Sequence, residues 1–219
     1  MDLIITIFSL IVLLFSIIIH ELAHGSVAFA LGDPTAKYSG RLTLNPLKHL
    51  DPFGSVILPL LLFISGSPVL VGWAKPVPIN PYNFKDQKWG SFKVAIAGPL
   101  SNIALAVFFG LIIRFTPPDF IIQFSRFFII IFFILIINLM LALFNLLPIP
   151  PLDGSWILFK FIPEKFANVT TFLQQYGIFI LIFLLFFGAL QGLNSLKNFF
   201  SYIIAGNHID LINKLLTQF

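Results

Sequence analysis

The sequence predicts an all-α polytopic membrane protein, a bundle of about four to five transmembrane helices. Of its 219 residues, 58% are hydrophobic and only 10% are charged, whereas about 25% of the residues in soluble domains are charged. The apolar residues also form runs long enough to cross a bilayer, which takes about 20 residues. These two observations exclude a soluble globule, a disordered chain and a nucleic-acid-binding module, because each of these needs charge that the chain lacks.

Four apolar runs are predicted to span the membrane, at 3–31, 91–113, 120–147 and 172–190. The first run lacks the basic front end of a secretory signal and is too long for one, so we expect it to be retained. The sequence contains no internal repeat and no separate soluble domain. We therefore expect residues 1–219 to form a single integral-membrane domain surrounded by the lipid bilayer.

Two other segments are apolar but are poor candidates for crossing. The run at 53–65 contains Pro59 and is followed by Pro68, which leaves about a dozen uninterrupted residues and predicts a short or re-entrant segment. The tail at 194–219 mixes apolar residues at helical spacing with charged residues, which is typical of an interfacial helix. The proline- and lysine-rich stretch at 72–90 favours an extended hairpin or a loop.

The basic residues predict an orientation in the membrane. If 53–65 does not cross, the loops at 32–93 and 148–170 lie on one side and carry nine Lys or Arg residues. The loop at 114–126 lies on the other side and carries two. By the positive-inside rule the first side is cytoplasmic, so we expect the N-terminus and, by parity, the tail to lie outside the cell.

One cluster of ionisable residues lies within the first apolar run. His20, Glu21 and His24 match the pattern H-E-x-x-H. Histidines four positions apart lie on one face of a helix, so both rings can bind one zinc ion, and the glutamate can reach a water molecule at that ion. Ionisable groups within a transmembrane helix are costly unless they are paired, bound to a metal or facing water. The pattern therefore predicts a catalytic metal site.

A catalytic zinc site needs a third protein ligand and keeps a fourth position for water. The chain has no cysteine, and the candidates for this ligand are Asp33, His49, Asp51, Asp153, Glu164 and His208. Asp153 is favoured because it follows a long span and lies between Pro151 and Gly154, where a new helix could hold it at membrane depth. Asp33 is interpreted as a turn residue, because it lies between a glycine and a proline.

Three motifs in this order resemble the site-2 protease family of intramembrane zinc metalloproteases. They are H-E-x-x-H at 20–24, Gly-Pro-Leu-Ser-Asn at 98–102, and Asn-Leu-Leu-Pro at 145–148 followed by Leu-Asp-Gly at 152–154. The resemblance extends from about residue 10 to residue 160. The stretches at 40–46 and 72–78 resemble the compact bacterial branch of the family, and the sequence shows no inserted PDZ-like or CBS-like domain.

The resemblance implies an endopeptidase with one Zn²⁺ per chain that cleaves membrane-protein substrates in or near their transmembrane segments. The implied metal ligands are His20, His24 and Asp153, and the implied general base is Glu21. From the distribution of basic residues we expect the site to open towards the cytoplasm, with the re-entrant or hairpin segment close to it.

The resemblance also implies that Asn145 and Asn102 line the site and bind the substrate backbone or the oxyanion. A polar contact between helices is the alternative role for both residues. The rival functions are a membrane metal transporter and an inactive scaffold with a buried His/Asp metal site. A transporter would place more His and Asp residues along several helices, and a scaffold would have no use for Glu21.

Overall fold

The computed structural model describes residues 3–57, 60–61, 64–65, 74–188 and 191–217. Regular structure in these ranges is helical, so the predicted all-α fold is confirmed. Four helices are long and apolar enough to cross a membrane: α1 (Leu3–Ala30), α3 (Gly90–Phe115), α5 (Ser125–Asn145) and α7 (Ala167–Phe186). The other α-helices in the described ranges are α2 (Thr35–Tyr38), α4 (Pro118–Gln123), α6 (Asp153–Phe159), α8 (Gln191–Ala205) and α9 (His208–Leu216).

The helix boundaries differ most from the prediction in the third apolar run. The run at 120–147 is not one helix, because Phe124 departs from helical geometry (φ −112°, ψ 40°) and separates α4 from α5. Pro118 is the first residue of α4, a position that suits the restricted φ of proline. The fourth span, expected at 172–190, begins earlier and ends earlier as α7.

Helix α1 contains the H-E-x-x-H sequence in its C-terminal half and ends at a glycine. Gly32 has a φ of 107°, a conformation that other residues rarely adopt. Its N–H donates to the carbonyl of Phe29, and the N–H of Asp33 donates to the carbonyl of Ala28, which together form a Schellman motif. Because α1 ends at Ala30, His20 lies about 15 Å along the axis from the C-terminal end of the helix.

Helix α3 packs against α1 and α5 through a face of small residues. The buried face includes Gly90, Gly98, Asn102, Ala106 and Gly110, and small side chains at such positions allow membrane helices to approach closely. Pro99 in the same helix lacks an N–H, so it removes the hydrogen bond that the carbonyl of Ala95 would otherwise accept. The backbone of α3 is therefore close to its neighbours and lacks one helical hydrogen bond beside the H-E-x-x-H sequence.

The tail helices contribute to the main hydrophobic core. Ala205 of α8 and Ile209 and Ile212 of α9 belong to the same buried cluster as Phe128 and Leu135 of α5. The tail is therefore a packed part of the bundle, held there by apolar burial. Its position at the membrane interface stays a prediction.

The segment at 53–65 is described only in part. It begins within a π-helical stretch at Pro52–Ile57, and the predicted re-entrant course depends on residues 58–59, 62–63 and 66–73, which lie outside the described residues. Residues 72–73 of the predicted hairpin lie outside them as well. From residue 74 to residue 80 the chain is neither helix nor strand.

Candidate metal centre

Three side chains from two helices converge at one point. His20 and His24 lie one turn apart on α1, and Asp153 is the first residue of α6. The two Nε2 atoms are 3.1 Å apart, and Oδ2 of Asp153 lies 3.0 Å from Nε2 of His20 and 3.2 Å from Nε2 of His24. Both histidines are only 6% exposed. The group has the composition and spacing of a metal site.

Helix α3 orients both imidazole rings. Nδ1 of His20 lies 2.6 Å from Oδ1 of Asn102, and Nδ1 of His24 lies 2.7 Å from the carbonyl oxygen of Val94. Both partners are acceptors, so each Nδ1–H donates and each Nε2 directs a lone pair at the cluster. A hydrogen bond from the second ring nitrogen is the usual arrangement around a metal-binding histidine.

The start of α6 positions Asp153 against the histidines. A Cβ on Gly154 would lie 2.3 Å from the carbonyl oxygen of Leu146 and 2.4 Å from that of Leu147. Only glycine allows the first turn of α6 to pack this closely on the chain that leaves α5. The glycine of the Leu-Asp-Gly sequence therefore allows the close packing that places the Asp153 carboxylate next to the histidines of α1.

Glu21 lies beside the cluster and contacts a different part of the chain. Its Oε2 accepts a hydrogen bond of 2.7 Å from the backbone N–H of Val77. The segment at 74–80 that contains Val77 is held in place by Arg41, whose Nη2 donates to the carbonyls of Lys75 and Pro76. The carboxylate of Glu21 is therefore oriented by a backbone donor and is separate from the three-residue group.

Asp33 holds the other end of the same segment. Its fully buried carboxylate accepts hydrogen bonds from the backbone N–H groups of Asn80 and Thr35, at 2.7 and 3.1 Å, and from Nδ2 of Asn83 at 2.8 Å. Burial raises the pKa of Asp33, but the hydrogen bonds from Thr35, Asn83 and Asn80 outweigh it and hold this pKa below its ordinary value. The residue interpreted as a turn former thus ties the end of α1 to the segment that covers Glu21.

The two histidines, Glu21 and Asp153 line a cavity of about 350 Å³. His20, Glu21, His24 and Asp153 form its polar part, together with Asn145 and Ser91. Its apolar walls include Val77, Ile79, Phe84, Val94 and Trp156. A cavity lined by both polar and apolar side chains suits a peptide backbone that carries hydrophobic side chains.

Comparison with known proteins decides the family. The model of peptidase family M50 matches residues 119–186, a range that contains Asn145 and Asp153. The Bacillus subtilis protein named "Putative zinc metalloprotease YwhC" is 43% identical over 178 residues, which are 80% of this chain and 78% of that protein. The chain belongs to peptidase family M50, the site-2 protease family.

Two other relatives carry the same description. Rip2 of Mycolicibacterium smegmatis is 31% identical over 179 residues, which are 81% of this chain and 66% of that protein. MJ0611 of Methanocaldococcus jannaschii is 44% identical over 90 residues, which are 41% of this chain and 44% of that protein. No solved structure matches the chain. As a member of family M50 the chain is a zinc metalloendopeptidase, a multi-pass membrane protein whose cofactor is Zn²⁺.

The converging side chains fit the zinc ion of an M50 peptidase. In a tetrahedral site with bonds of 2.0–2.1 Å, neighbouring ligand atoms lie about 3.3 Å apart, close to the 3.0–3.2 Å found between the two Nε2 atoms and Oδ2 of Asp153. Three lone pairs this close repel one another unless a metal ion or a proton lies between them. Two imidazoles and one carboxylate are also a usual ligand set for catalytic zinc.

The structure separates the two asparagines of the predicted site. Asn145, at the end of α5, lines the cavity, and its Nδ2 donates to the carbonyl of Leu141 in its own helix. Asn102 is fully buried between helices and is not among the residues that line the cavity. Its position favours the alternative that the sequence left open, a polar contact between helices, over the predicted contact with substrate.

Several residues around the site were not predicted from the sequence. Val77 and Val94 contact the site through backbone groups, which carry no residue-specific signal. A partial signal for Val94 was Pro99, because a proline inside a helix disturbs the hydrogen bonds of the preceding turn. Ser16 and Asn138 lie behind His20 and Asn102, and each is a single polar residue in an apolar helix.

Proposed function

We propose that this M50 peptidase is an intramembrane endopeptidase that hydrolyses peptide bonds in or near the transmembrane segments of membrane-protein substrates. The observation that supports this most strongly is the depth of the candidate metal centre. His20 lies about 15 Å from the end of an apolar helix of 28 residues. A peptidase whose metal centre lies at that depth contacts the part of a substrate that lies within the bilayer.

In this proposal His20, His24 and Asp153 hold the zinc ion and Glu21 is the general base. When bound, zinc polarises the scissile carbonyl and makes a water molecule more acidic. The carboxylate of Glu21 accepts the proton that the attacking water loses as its oxygen bonds to the carbonyl carbon. Glu21 then gives that proton to the leaving nitrogen as the C–N bond breaks. The hydrogen bond from the Val77 N–H holds the carboxylate in one orientation during both transfers.

The substrate must leave helical form before cleavage, because a helix hides its carbonyls in its own hydrogen bonds. We propose that the unwound substrate lies along the segment at 74–80, of which Val77 and Ile79 line the cavity. Lys75, Val77 and Asn80 each precede a proline, which favours extended backbone, and Asn80 has extended dihedral angles (φ −115°, ψ 100°). In this arrangement Asn145 lies on the cavity wall, where its remaining amide hydrogen can donate to the substrate backbone or the oxyanion.

Removal of zinc tests the proposal. Treatment of the detergent-purified protein with 1,10-phenanthroline is expected to remove the zinc ion, and with it the polarisation of the scissile carbonyl. Cleavage of a single-span membrane reporter is therefore expected to fall by about tenfold or more. Adding back one equivalent of zinc is expected to restore cleavage. The measurements are metal content by atomic absorption and reporter cleavage on gels, with magnesium added back as the control. A zinc-free preparation that cleaves at the full rate would refute the proposed mechanism.

We also propose that the active site opens towards the cytoplasm, on the strength of the nine-to-two distribution of basic residues between the two sides. Since the chain has no cysteine, single cysteines report the orientation without background. A cysteine at the exposed Asp119 is expected to react with a membrane-impermeant maleimide in intact cells. A cysteine at the exposed Ser39 is expected to react only after permeabilisation. The reverse pattern would place the active site on the outer side.

A further inference from the structure

Three buried polar side chains, connected by hydrogen bonds, extend from the interior of the bundle to the candidate metal centre. Ser16 of α1, Asn138 of α5 and Asn102 of α3 are 3%, 0% and 0% exposed. Ser16 precedes His20 by one helical turn on the same face of α1. The three helices that pack together at this point each contribute one polar residue, and none of the three lines the cavity at the candidate metal centre.

The hydrogen bonds among these three residues determine which way the oxygen and the nitrogen of the Asn102 amide point. Nδ2 of Asn138 donates to Oγ of Ser16 at 2.9 Å and to the carbonyl of Ile134 at 2.9 Å. Nδ2 of Asn102 donates to Oδ1 of Asn138 at 2.8 Å and to the carbonyl of Ser16 at 3.3 Å. Turning the Asn102 amide over would bring its oxygen against Oδ1 of Asn138. The network therefore directs Oδ1 of Asn102 towards Nδ1 of His20.

We propose that Asn102, supported by Asn138 and Ser16, is a positioning residue that fixes the ring orientation and the tautomer of His20. With its oxygen at Nδ1, Asn102 requires the hydrogen of the neutral ring to be on Nδ1, so that Nε2 is free to bind the metal. This inference rests on the proposed metal site. It assigns to Asn102 a role that acts through His20 and needs no contact with substrate.

The two histidines differ in how they are positioned. His24 donates to the main-chain carbonyl of Val94, an acceptor that substitution of the side chain leaves in place. His20 depends on side chains from two other helices. Removing those side chains should therefore loosen one ligand and leave the other in position. Such a change lowers metal affinity without removing any ligand.

Substitution of Asn102 tests the inference. Asn102→Leu keeps approximately the size of the side chain and removes the acceptor, and it is expected to raise the zinc dissociation constant about 10- to 100-fold. It is also expected to change the visible absorption bands of the Co²⁺-loaded protein, because these bands report ligand geometry. Asn102→Asp keeps an acceptor for the Nδ1–H of His20 but places its second oxygen against Oδ1 of Asn138 and the carbonyl of Ser16, which both accept hydrogen bonds in the wild type. Its zinc dissociation constant is therefore expected to lie between those of the wild type and Asn102→Leu.

A matched pair of buried serines separates positioning from packing. Ser16→Ala removes the acceptor behind Asn138 and is expected to raise the zinc dissociation constant about threefold or more. Ser201 is equally buried, lies in α8 and donates to the carbonyl of Asn198 in its own helix. Ser201→Ala is therefore expected to leave the zinc dissociation constant and the Co²⁺ spectrum unchanged. The affinities are measured in detergent by competition with a chromogenic chelator, with the melting temperature recorded for every variant.

The outcomes distinguish this inference from the proposed metal site. If Asn102→Leu lowers the melting temperature but binds zinc and Co²⁺ like the wild type, Asn102 is only a contact between helices and the inference is wrong. If Asn102→Leu does not fold, the Ser16 and Ser201 pair decides by the same criterion. If the wild type itself binds no zinc, the proposed metal site fails and the inference fails with it.

Discussion

Glu21→Gln is expected to lower peptide hydrolysis by about 10²- to 10⁴-fold, the usual contribution of a general base, while the protein still binds one zinc ion. Glu21 is not one of the three converging ligands, so its replacement leaves the metal centre intact. A glutamine oxygen can still accept the hydrogen bond that the Val77 N–H now donates to Oε2. The expected loss of activity therefore reports the loss of proton transfer by Glu21, and not a loss of zinc or of the hydrogen bond from Val77. Zinc content and reporter cleavage are measured side by side on the purified proteins.

The chain provides its own control for this substitution. Glu164 is the only other glutamate in the sequence, and Glu164→Gln is expected to cleave the reporter like the wild type. The same experiment addresses the transporter and scaffold alternatives, because neither requires a base at position 21. A Glu21→Gln variant that cleaves at the wild-type rate would show that another group accepts the proton.

The parts of this structure that sequence could predict are local or compositional. Four spans follow from runs of apolar residues, and the H-E-x-x-H face follows from the helical repeat alone. Asp153 was favoured by its position after a long span and before Gly154, and the structure places it 3.0 Å from His20. The break at Phe124 was not predicted, although Gln123, Ser125 and Arg126 flank it. Hydropathy over a whole span hides so short an interruption and does not register a change in backbone direction.

The contacts that sequence did not predict depend on how the helices are rotated against one another. Asn102 could face the cavity or the neighbouring helices, and its spacing from Pro99 does not decide between them. The observed rotation of α3 places Gly98 on the two histidines and Asn102 behind His20. That rotation is determined by packing along the whole face of small residues, which couples α3 to α1 and α5 at once. A single polar residue in an apolar helix therefore acquires its role only in the packed bundle.

Gly98→Ala is expected to abolish zinc binding, lowering zinc affinity by at least about 100-fold, and to abolish reporter cleavage with it. A Cβ at this position would lie 2.3 Å from Nε2 of His24 and 2.6 Å from Nε2 of His20, whereas metal sites tolerate errors of only about 0.2 Å in their bonds. The rings cannot easily withdraw, because both Nδ1 atoms are hydrogen-bonded to α3 itself. The helix is not weakened by the change, since alanine favours a helix by about 1 kcal/mol over glycine.

The effect of Gly98→Ala should therefore lie in the metal site and not in the folding of the helix. Gly192→Ala is the matched control, because Gly192 is also helical and a Cβ there would have no neighbour within 4 Å among the residues that the structure describes. The control is expected to bind zinc and to cleave the reporter normally. The zinc-free Gly98→Ala protein is expected to melt below the zinc-free wild type, because the Cβ overpacks the contact between α3 and α1, and zinc is expected no longer to raise its melting temperature. One tightly bound zinc ion in Gly98→Ala would mean that the histidines can reach the metal from another direction, and that α3 does not define the site.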